Sequence, residues 1–466
     1  MRPNKKLLWL DFGVLCFYAT AVLVAVAYHE PWADEAQAWM IARDLPLGKM
    51  LFSEMHYEVS PGLWDSILWF AQHAFHAPYA AMNYIGAAFA IAGAAVLIFL
   101  APFLRIVRYL MATSYYISYQ YAVVARPYVL LLLCGGLAAV LYRRRQIVPL
   151  AIALAVMSGI SIHGMIIAGA LAASAGFRGM TEWKSLDATE RKRYIVAAAI
   201  VLIAFGLTVA IARPAHDLVA MNNAQGGSLA KLIRTLPDIV FGPWPLAAAL
   251  LIALVVYAAW RNQLIPCVLS IGGLLVFNAF IYGAPHHTGA IVIAIVLILW
   301  LSWPEPGEGI PRLFAPVSLV ILCVVFGVQT YWAVSAWRHE LRDPYSGSRD
   351  AANYLRAIGA DHALIEGYHF DVVAIQPYFD HNIFENWSTS YVHHSRDTEP
   401  LLSMFDRGFP PPEYLVNPSE TGDTDHNQRY LAEQGYQSIH VSPGRVLFKD
   451  GAWVAETFTI YRRIVH

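Results

Sequence analysis

The sequence is poor in charge. Only 14% of its 466 residues are Asp, Glu, Lys or Arg, while 58% are hydrophobic; a soluble domain carries roughly 25% charged residues. That deficit excludes an ordinary soluble enzyme and points to a polytopic membrane protein. Cysteine is scarce too. Cys16, Cys134, Cys267 and Cys323 all lie inside apolar runs, which excludes a disulfide framework and a thiolate metal site. The sequence has no glycine-rich phosphate loop, no dinucleotide fingerprint and no nucleophile elbow, so a nucleotide-driven mechanism has no support. Internal repeats and low-complexity tracts are absent, and no nucleic-acid partner is expected.

Long apolar runs, by contrast, are plentiful. Several reach the roughly 20 residues a helix needs to cross about 30 Å of hydrocarbon. About eleven candidate spans run over 7–28, 79–101, 104–122, 126–142, 147–162, 163–178, 194–212, 244–260, 264–282, 286–303 and 312–336. Lys5, Lys6 and the apolar stretch after them resemble a signal peptide in charge. The stretch is too long for one and lacks a small-residue cleavage site, so an uncleaved first span is expected. The basic residues at Lys5-Lys6, Arg105/Arg108, Arg143–Arg145, Lys184, Arg191–Arg193, Arg261 and Arg312 fall on one side if 60–77 does not cross. Loops rich in Lys and Arg stay cytoplasmic, so that side is read as cytoplasmic.

With this topology, Pro61–Phe75 is an interfacial helix, with Trp64, Ile67, Leu68 and Phe75 on one side and Asp65, Gln72 and His76 interrupting the rest. The first outer loop then runs from His29 to about Pro78. It holds seven of the fifteen acidic residues of positions 1–337: Glu30, Asp34, Glu35, Asp44, Glu54, Glu58 and Asp65. A second outer loop, 213–243, carries His216, Asp217, Lys231 and Arg234. Residues 1–337 hold 21 basic against 15 acidic residues and 338–466 hold 11 against 18, a basic membrane part followed by an acidic tail. That tail opens with a helix at Ser348–Leu355. Short β-like runs follow at Ala363–Glu366, Tyr414–Val416, Ser438–Val441 and Phe458–Tyr461, separated by turns. The expected fold is therefore a polytopic α-helical membrane domain (1–337) with interfacial helices in its first outer loop, and a small C-terminal α/β domain (338–466) outside.

Four groups carry possible chemistry. Asp34 and Glu35 stand where the chain has just left the bilayer. They read as a general base or a metal ligand, while Asp34 followed by Gln37 also reads as a capping box opening a helix over Glu35–Asp44. His56 and Glu58, ahead of Pro61, fit one side of an extended segment facing Asp34, where they could hydrogen-bond a polar substrate or share a divalent metal with it; a plain solvated turn is the alternative. Arg126, followed by Pro127 and Tyr128, stands at the outer end of a span, where a guanidinium is costly unless it pairs or binds an anion such as phosphate. Interfacial snorkelling within an aromatic belt is the other reading. His163 and the pair His286-His287 lie at the outer ends of spans, where imidazoles could contact a sugar or headgroup. A lone intramembrane His is more often a bond between helices. The nine histidines of the tail lack ligand spacing.

Three motifs carry a family resemblance: Asp34-Glu35-Ala36 after the first span, His56-Tyr57-Glu58-Val59-Ser60-Pro61-Gly62-Leu63, and Ala125-Arg126-Pro127-Tyr128 before a Leu-rich span. The Ser348–Leu355 helix adds to them. With these features the chain resembles the GT-C superfamily of membrane glycosyltransferases, near its bacterial protein-mannosyltransferase-like and lipid A sugar-transferase branches. The resemblance implies a periplasmic-face transfer of one sugar, hexose or pentose, from a polyprenyl-phosphate donor to a lipid, glycan or protein acceptor, in a bacterial inner membrane. It also implies that Asp34 is the general base. The chain departs from many relatives in having Pro61-Gly62 where they have two prolines. The chemistry inferred beside the resemblance is a single inverting displacement, with Arg126, helped by Lys231, Arg234 or His286, facing the phosphate. A transporter or flippase of lipid-linked sugar is the main rival. It would place charges at mid-depth, whereas here the acids gather in one outer loop. A structural partner in an envelope complex and a phosphoethanolamine-type transferase are further alternatives.

Overall fold

In the computed structural model the residues described are 5–218, 228–305, 308, 314–395, 411–418, 425–449 and 451–464. Five of the described helices are long and apolar enough to cross a membrane: Lys6–Tyr28, Ala81–Leu100, Ala188–Ala212, Pro285–Ser302 and Pro316–Glu340. Leu229–Val240 and Trp244–Trp260 together make a sixth if their 80° bend lies within one span. Val129–Arg143, Ile147–Ser158 and Leu264–Phe280 are shorter apolar helices. Outward-facing Leu202, Ile203 and Val209 show what surrounds them, since apolar side chains exposed in a continuous row need a hydrocarbon solvent. Pro285–Ser302 runs through the centre, with Ile291, Ile293, Leu297 and Trp300 almost wholly enclosed.

One expected span is overturned. Within 104–122 the chain forms a short helix, Arg105–Ala112, and a separate π-helical turn, Tyr116–Gln120. Eight residues rise only about 12 Å. The cause is a polar run between the two. Thr113 Oγ1 donates to Tyr109 O at 3.0 Å, Ser114 Oγ to Met111 O at 2.7 Å and Ser118 Oγ to Ser114 O at 2.9 Å. Hydroxyls that bond the backbone compete with the helical ladder. Every other expected span coincides with a helix. The expected loop 213–243 contains one as well, Leu229–Val240.

The segment after the first span is mostly helical: Ala33–Asp44, a π-turn at Met50–Glu54, Met55–Glu58 and Leu63–Phe75. His56 and Glu58 are thus on a helical turn and not on an extended segment. On Leu63–Phe75 the enclosed side chains include Trp64, Leu68, Asp65 and Gln72, while Phe75 is 72% exposed. The expected facing of Asp65, Gln72 and Phe75 is therefore reversed, because the polar pair has partners inside. The departure at Pro61-Gly62 has a backbone reason. Gly62 sits at φ +80°, and a Cβ there would approach Leu51 Cδ2 to 2.6 Å. Proline is confined to negative φ and could not take that position.

The C-terminal α/β domain begins with the helix Ser348–Ala357. Among the described residues six strands follow: β1 (Ile365–Gly367), β2 (Tyr414–Pro418), β3 (Tyr436–Ser442), β4 (Arg445–Phe448), β5 (Gly451–Ala455) and β6 (Phe458–Arg463). The main sheet has the order β1-β2-β6-β3, with β1 parallel to β2 and β6 antiparallel to both neighbours; β4 and β5 form a separate hairpin. Its core includes Leu355, Ile365, Val372, Phe384 and Ile460, and also Ala33 and Ala36 from the segment after the first span. The domain thus closes over that segment.

Packing at the central helix is tight where Gly289 meets the π-turn. A Cβ at Gly289 would lie 2.6 Å from Tyr116 Cδ1 and 2.6 Å from Tyr121 Cζ, and Tyr121 is held by donating to His286 O at 2.7 Å. Gly289→Ala is expected to destabilise by about 1–3 kcal/mol through overpacking, read as a lower thermal-unfolding midpoint in detergent.

Candidate active site

The acidic pair after the first span divides into two roles. Asp34 and Glu35 occupy the first turn of Ala33–Asp44, so successive side chains point in different directions around the helix. Asp34 Oδ2 pairs with Arg126 Nη1 at 2.7 Å, each side chain about a quarter exposed. Asp34 does not cap the helix: Trp32 is the N-cap, and it is Glu35 that reaches back to the Trp32 N–H, at 3.2 Å. The capping reading belongs to the neighbour.

Glu35 is fully enclosed. Its Oε1 accepts from Ala125 N–H at 2.6 Å and Asn83 Nδ2 at 2.9 Å, and its Oε2 meets His29 Nε2 at 2.9 Å. His29 Nδ1 lies 2.9 Å from Glu340 Oε1, and Tyr119 OH donates to Glu340 Oε2 at 2.7 Å. Burial disfavours a charged imidazole, yet the Glu35 and Glu340 carboxylates outweigh it and push the His29 pKa up to about 10. Ala125 precedes Arg126, so this buried network holds the loop that presents the guanidinium.

Arg126 Nε makes no hydrogen bond among the described residues. Beyond it stands a cluster of rings. Tyr128 lies 5.6 Å from His287 and 5.5 Å from His163 between centroids; His163 and His287 are 4.8 Å apart, and His286 and His287 4.3 Å apart. His163 Nε2 bonds Asn278 Oδ1 at 3.1 Å, and His287 Nδ1 accepts from Ala284 N–H at 3.1 Å. The amide oxygen can only accept, so His163 donates there, and His287 carries its proton on Nε2 when neutral. Trp32 touches His286 edge-on at 6.5 Å. The structure thus brings Asp34, Arg126, Tyr128, His163, His286 and His287 into one region.

Of the other expected residues, Glu58 stays beside the Asp34 helix, while His56, Lys231 and Arg234 are placed by other contacts. His56 Nδ1 donates to Arg213 O at 2.8 Å, joining the helical turn Met55–Glu58 to the segment after Ala188–Ala212. Glu58 accepts from Gln37 Nε2 at 2.9 Å. Lys231 and Arg234 are on Leu229–Val240, Lys231 half-buried and Arg234 exposed. Among the described residues no three His, Cys, Asp or Glu side chains converge as a metal site, so Asp34, His56 and Glu58 do not assemble the shared one expected. Sequence reasoning missed His29, Asn83, Asp65, Glu340 and Glu456. His29, Asn83 and Glu340 are polar residues at the ends of apolar helices, and that placement was the available signal.

The acids share an environment that favours protons. Burial raises the Asp34 pKa, opposed by Arg126. Burial, with Glu54, Asp65 and Asp34 adding repulsion, pushes Glu58 up to about 8, against the Gln37 hydrogen bond. Burial also lifts Asp65 to about 6.

No family model matches the sequence, and no curated protein matches it. Solved structures do match the fold. ArnT from Cupriavidus metallidurans bound to undecaprenyl phosphate aligns with a TM-score of 0.57 at 13% identity, covering 98% of each chain. ArnT from the same organism in the apo state aligns with a TM-score of 0.55 at 13% identity, covering 99% of each. The chain shares the fold of these ArnT structures. The alignment extends through the C-terminal α/β domain as well as the membrane helices, since almost nothing of either chain is left over.

A raised carboxyl pKa makes the folded state the better proton binder, so stability is greatest below the unfolded value and is lost as pH rises through the folded one. Glu58, moved from 4.5 to about 8, gives the window. The unfolding midpoint is expected to fall as pH rises from about 5 to about 9, and Glu58→Gln to flatten that slope; thermal unfolding across the range measures both.

Proposed function

We propose that this protein is an inverting glycosyltransferase that moves a sugar from a polyprenyl-phosphate donor to a hydroxyl on a glycan, lipid or protein at the outer membrane–water boundary. The observation that carries the reading is the Asp34–Arg126 pair. It sets a partly exposed carboxylate 2.7 Å from a guanidinium whose Nε–H has no partner among the described residues. The GT-C fold supports it independently.

A lipid-phosphate donor requires little from the protein: a cation for the phosphate and a base for the acceptor. The donor phosphate engages Arg126 through its fork of N–H groups, which draws the guanidinium from Asp34. Asp34 then takes the proton of the acceptor hydroxyl. That oxygen forms the new bond to the anomeric carbon from the face opposite the phosphate, while the carbon–oxygen bond to phosphate breaks. The polyprenyl phosphate leaves with the bonding electron pair, and Arg126 stabilises its charge. Glu35, with every carboxylate contact internal, positions Arg126 through Ala125. Tyr128 and the three imidazoles form the wall beside it, where hydroxyl groups of the sugar find donors and acceptors.

The test is transfer by purified protein from a panel of polyprenyl-phosphate sugars, with membrane extract as acceptor source. Asp34→Asn is expected to lower kcat by about 10²–10⁴-fold, the usual weight of a general base. Arg126→Ala is expected to raise the KM for donor and lower kcat together. Unchanged turnover in Asp34→Asn would remove the base assignment. Movement of the lipid across a bilayer without transfer from any donor would replace the enzyme by a transporter.

A further inference from the structure

The helix that carries Asp34 is gripped from the C-terminal domain at two points one turn apart. Ala33 N–H donates to Glu456 Oε1 at 2.7 Å. Gln37 exchanges two hydrogen bonds with the Val392 backbone, accepting from its N–H at 2.9 Å and donating to its C=O at 2.7 Å. Positions 33 and 37 share a helix face, and Ala33 and Ala36 beside them belong to the domain's own hydrophobic core. The first N–H groups of a helix have no partner within it and need an acceptor. Here the acceptor is a carboxylate 423 residues away in sequence, fully enclosed and itself held in a turn: Glu456 N–H donates to Gly444 O at 3.1 Å and Glu456 O accepts from Gly347 N–H at 3.1 Å. Two fixings on one face set both the rotation and the axial position of the helix, and Asp34 lies between them.

We propose that Glu456 is a positioning residue. By closing the N-terminus of Ala33–Asp44 from the C-terminal domain, it sets the Asp34 carboxylate against Arg126, so that the domain is part of the active site's construction and not an appended docking module. The inference rests on the transferase reading for its catalytic consequence, and on hydrogen bonding alone for its structural one.

The experiment uses the full chain in detergent with Glu456→Ala, Glu456→Asp and Glu456→Gln. It combines donor kinetics with backbone hydrogen exchange over residues 31–40. Gln keeps an oxygen acceptor of the same reach, Asp withdraws it by one methylene, and Ala removes it. Glu456→Ala and Glu456→Asp are expected to speed exchange in 31–40 and to lower kcat by about 10–100-fold, the cost of displacing a reacting group by about an ångström, with the KM for donor within about twofold. Glu456→Gln is expected to retain protection and turnover. A general structural defect would instead spread the faster exchange through the sheet and change KM with kcat. That result, or native protection of 31–40 in the Asp and Ala variants, overturns the inference. Should Glu456→Ala not fold, the Asp and Gln pair decides alone. If the native chain transfers no sugar while 31–40 loosens as expected, the transferase reading fails and the positioning role stands.

Discussion

The interaction on which the site depends is the buried contact of His29 with Glu35 and Glu340. Three ionisable side chains with no exposure are tolerable only because each satisfies another. Together they tie the end of the first span, the first turn of the Asp34 helix and the end of the last long helix. Glu35 extends the tie to Asn83 and to the Ala125 amide, and Glu340 extends it to Tyr119 on the π-turn. Removing one partner would leave a buried charge uncompensated, which costs about 3–5 kcal/mol. The geometry of Asp34 and Arg126 is therefore set one residue away from each, by groups that take no part in the proposed chemistry.

A second consequence concerns the border between membrane part and tail. The acidic surplus beyond Trp337 and the basic surplus before it suggest two separable pieces, but the contacts do not follow that division. Arg349 donates to His29 O at 3.2 Å and approaches Glu30 at 3.7 Å; Arg43 donates to Phe379 O at 2.9 Å; His393 meets Glu54 at 3.1 Å; Lys449 pairs with Asp238 at 2.7 Å. Surface ion pairs of this kind are individually weak. Their distribution matters more, because they place cations of one part on carboxylates of the other along the whole contact. It is the minority charge of each part, the cations of the tail and the carboxylates of the membrane part, that meets across the border, and not the surplus of either.

Much of this was readable in the chain itself. Apolar runs of adequate length gave nearly every helix, because a backbone in hydrocarbon has few alternatives. Asp34, Arg126, Tyr128 and the three imidazoles drew notice because polar groups at span ends stand out against Leu, Ile and Val, and the structure sets them in one region. What failed has definite causes. The run 104–122 is apolar on average, and only the placement of Thr113, Ser114 and Ser118 breaks it, which an average conceals. Asp65 and Gln72 read as exposed because periodicity does not reveal a buried partner such as Trp39 O, which accepts from Gln72 at 3.2 Å. Glu456 was invisible for the plainest reason: its partner Ala33 is an ordinary residue at the far end of the chain, and pairing over such distances leaves no local pattern.

The Asp34–Arg126 pair also explains how one carboxylate can be both stable at rest and basic in use. Asp34 sits in the first turn of a helix, where the backbone dipole favours a negative charge, and Arg126 adds a direct counter-ion. Burial acts in the opposite direction and is the larger influence on its proton affinity. On the proposed mechanism the donor phosphate takes the guanidinium, and the attraction that opposes burial weakens at that moment. The carboxylate's affinity for a proton then rises when an acceptor hydroxyl is present to supply one. Before donor binds, the ion pair with Arg126 keeps the carboxylate a weaker base than it becomes once the guanidinium is drawn away. The order of events, phosphate before acceptor deprotonation, thus follows from the competition of two anions for one arginine.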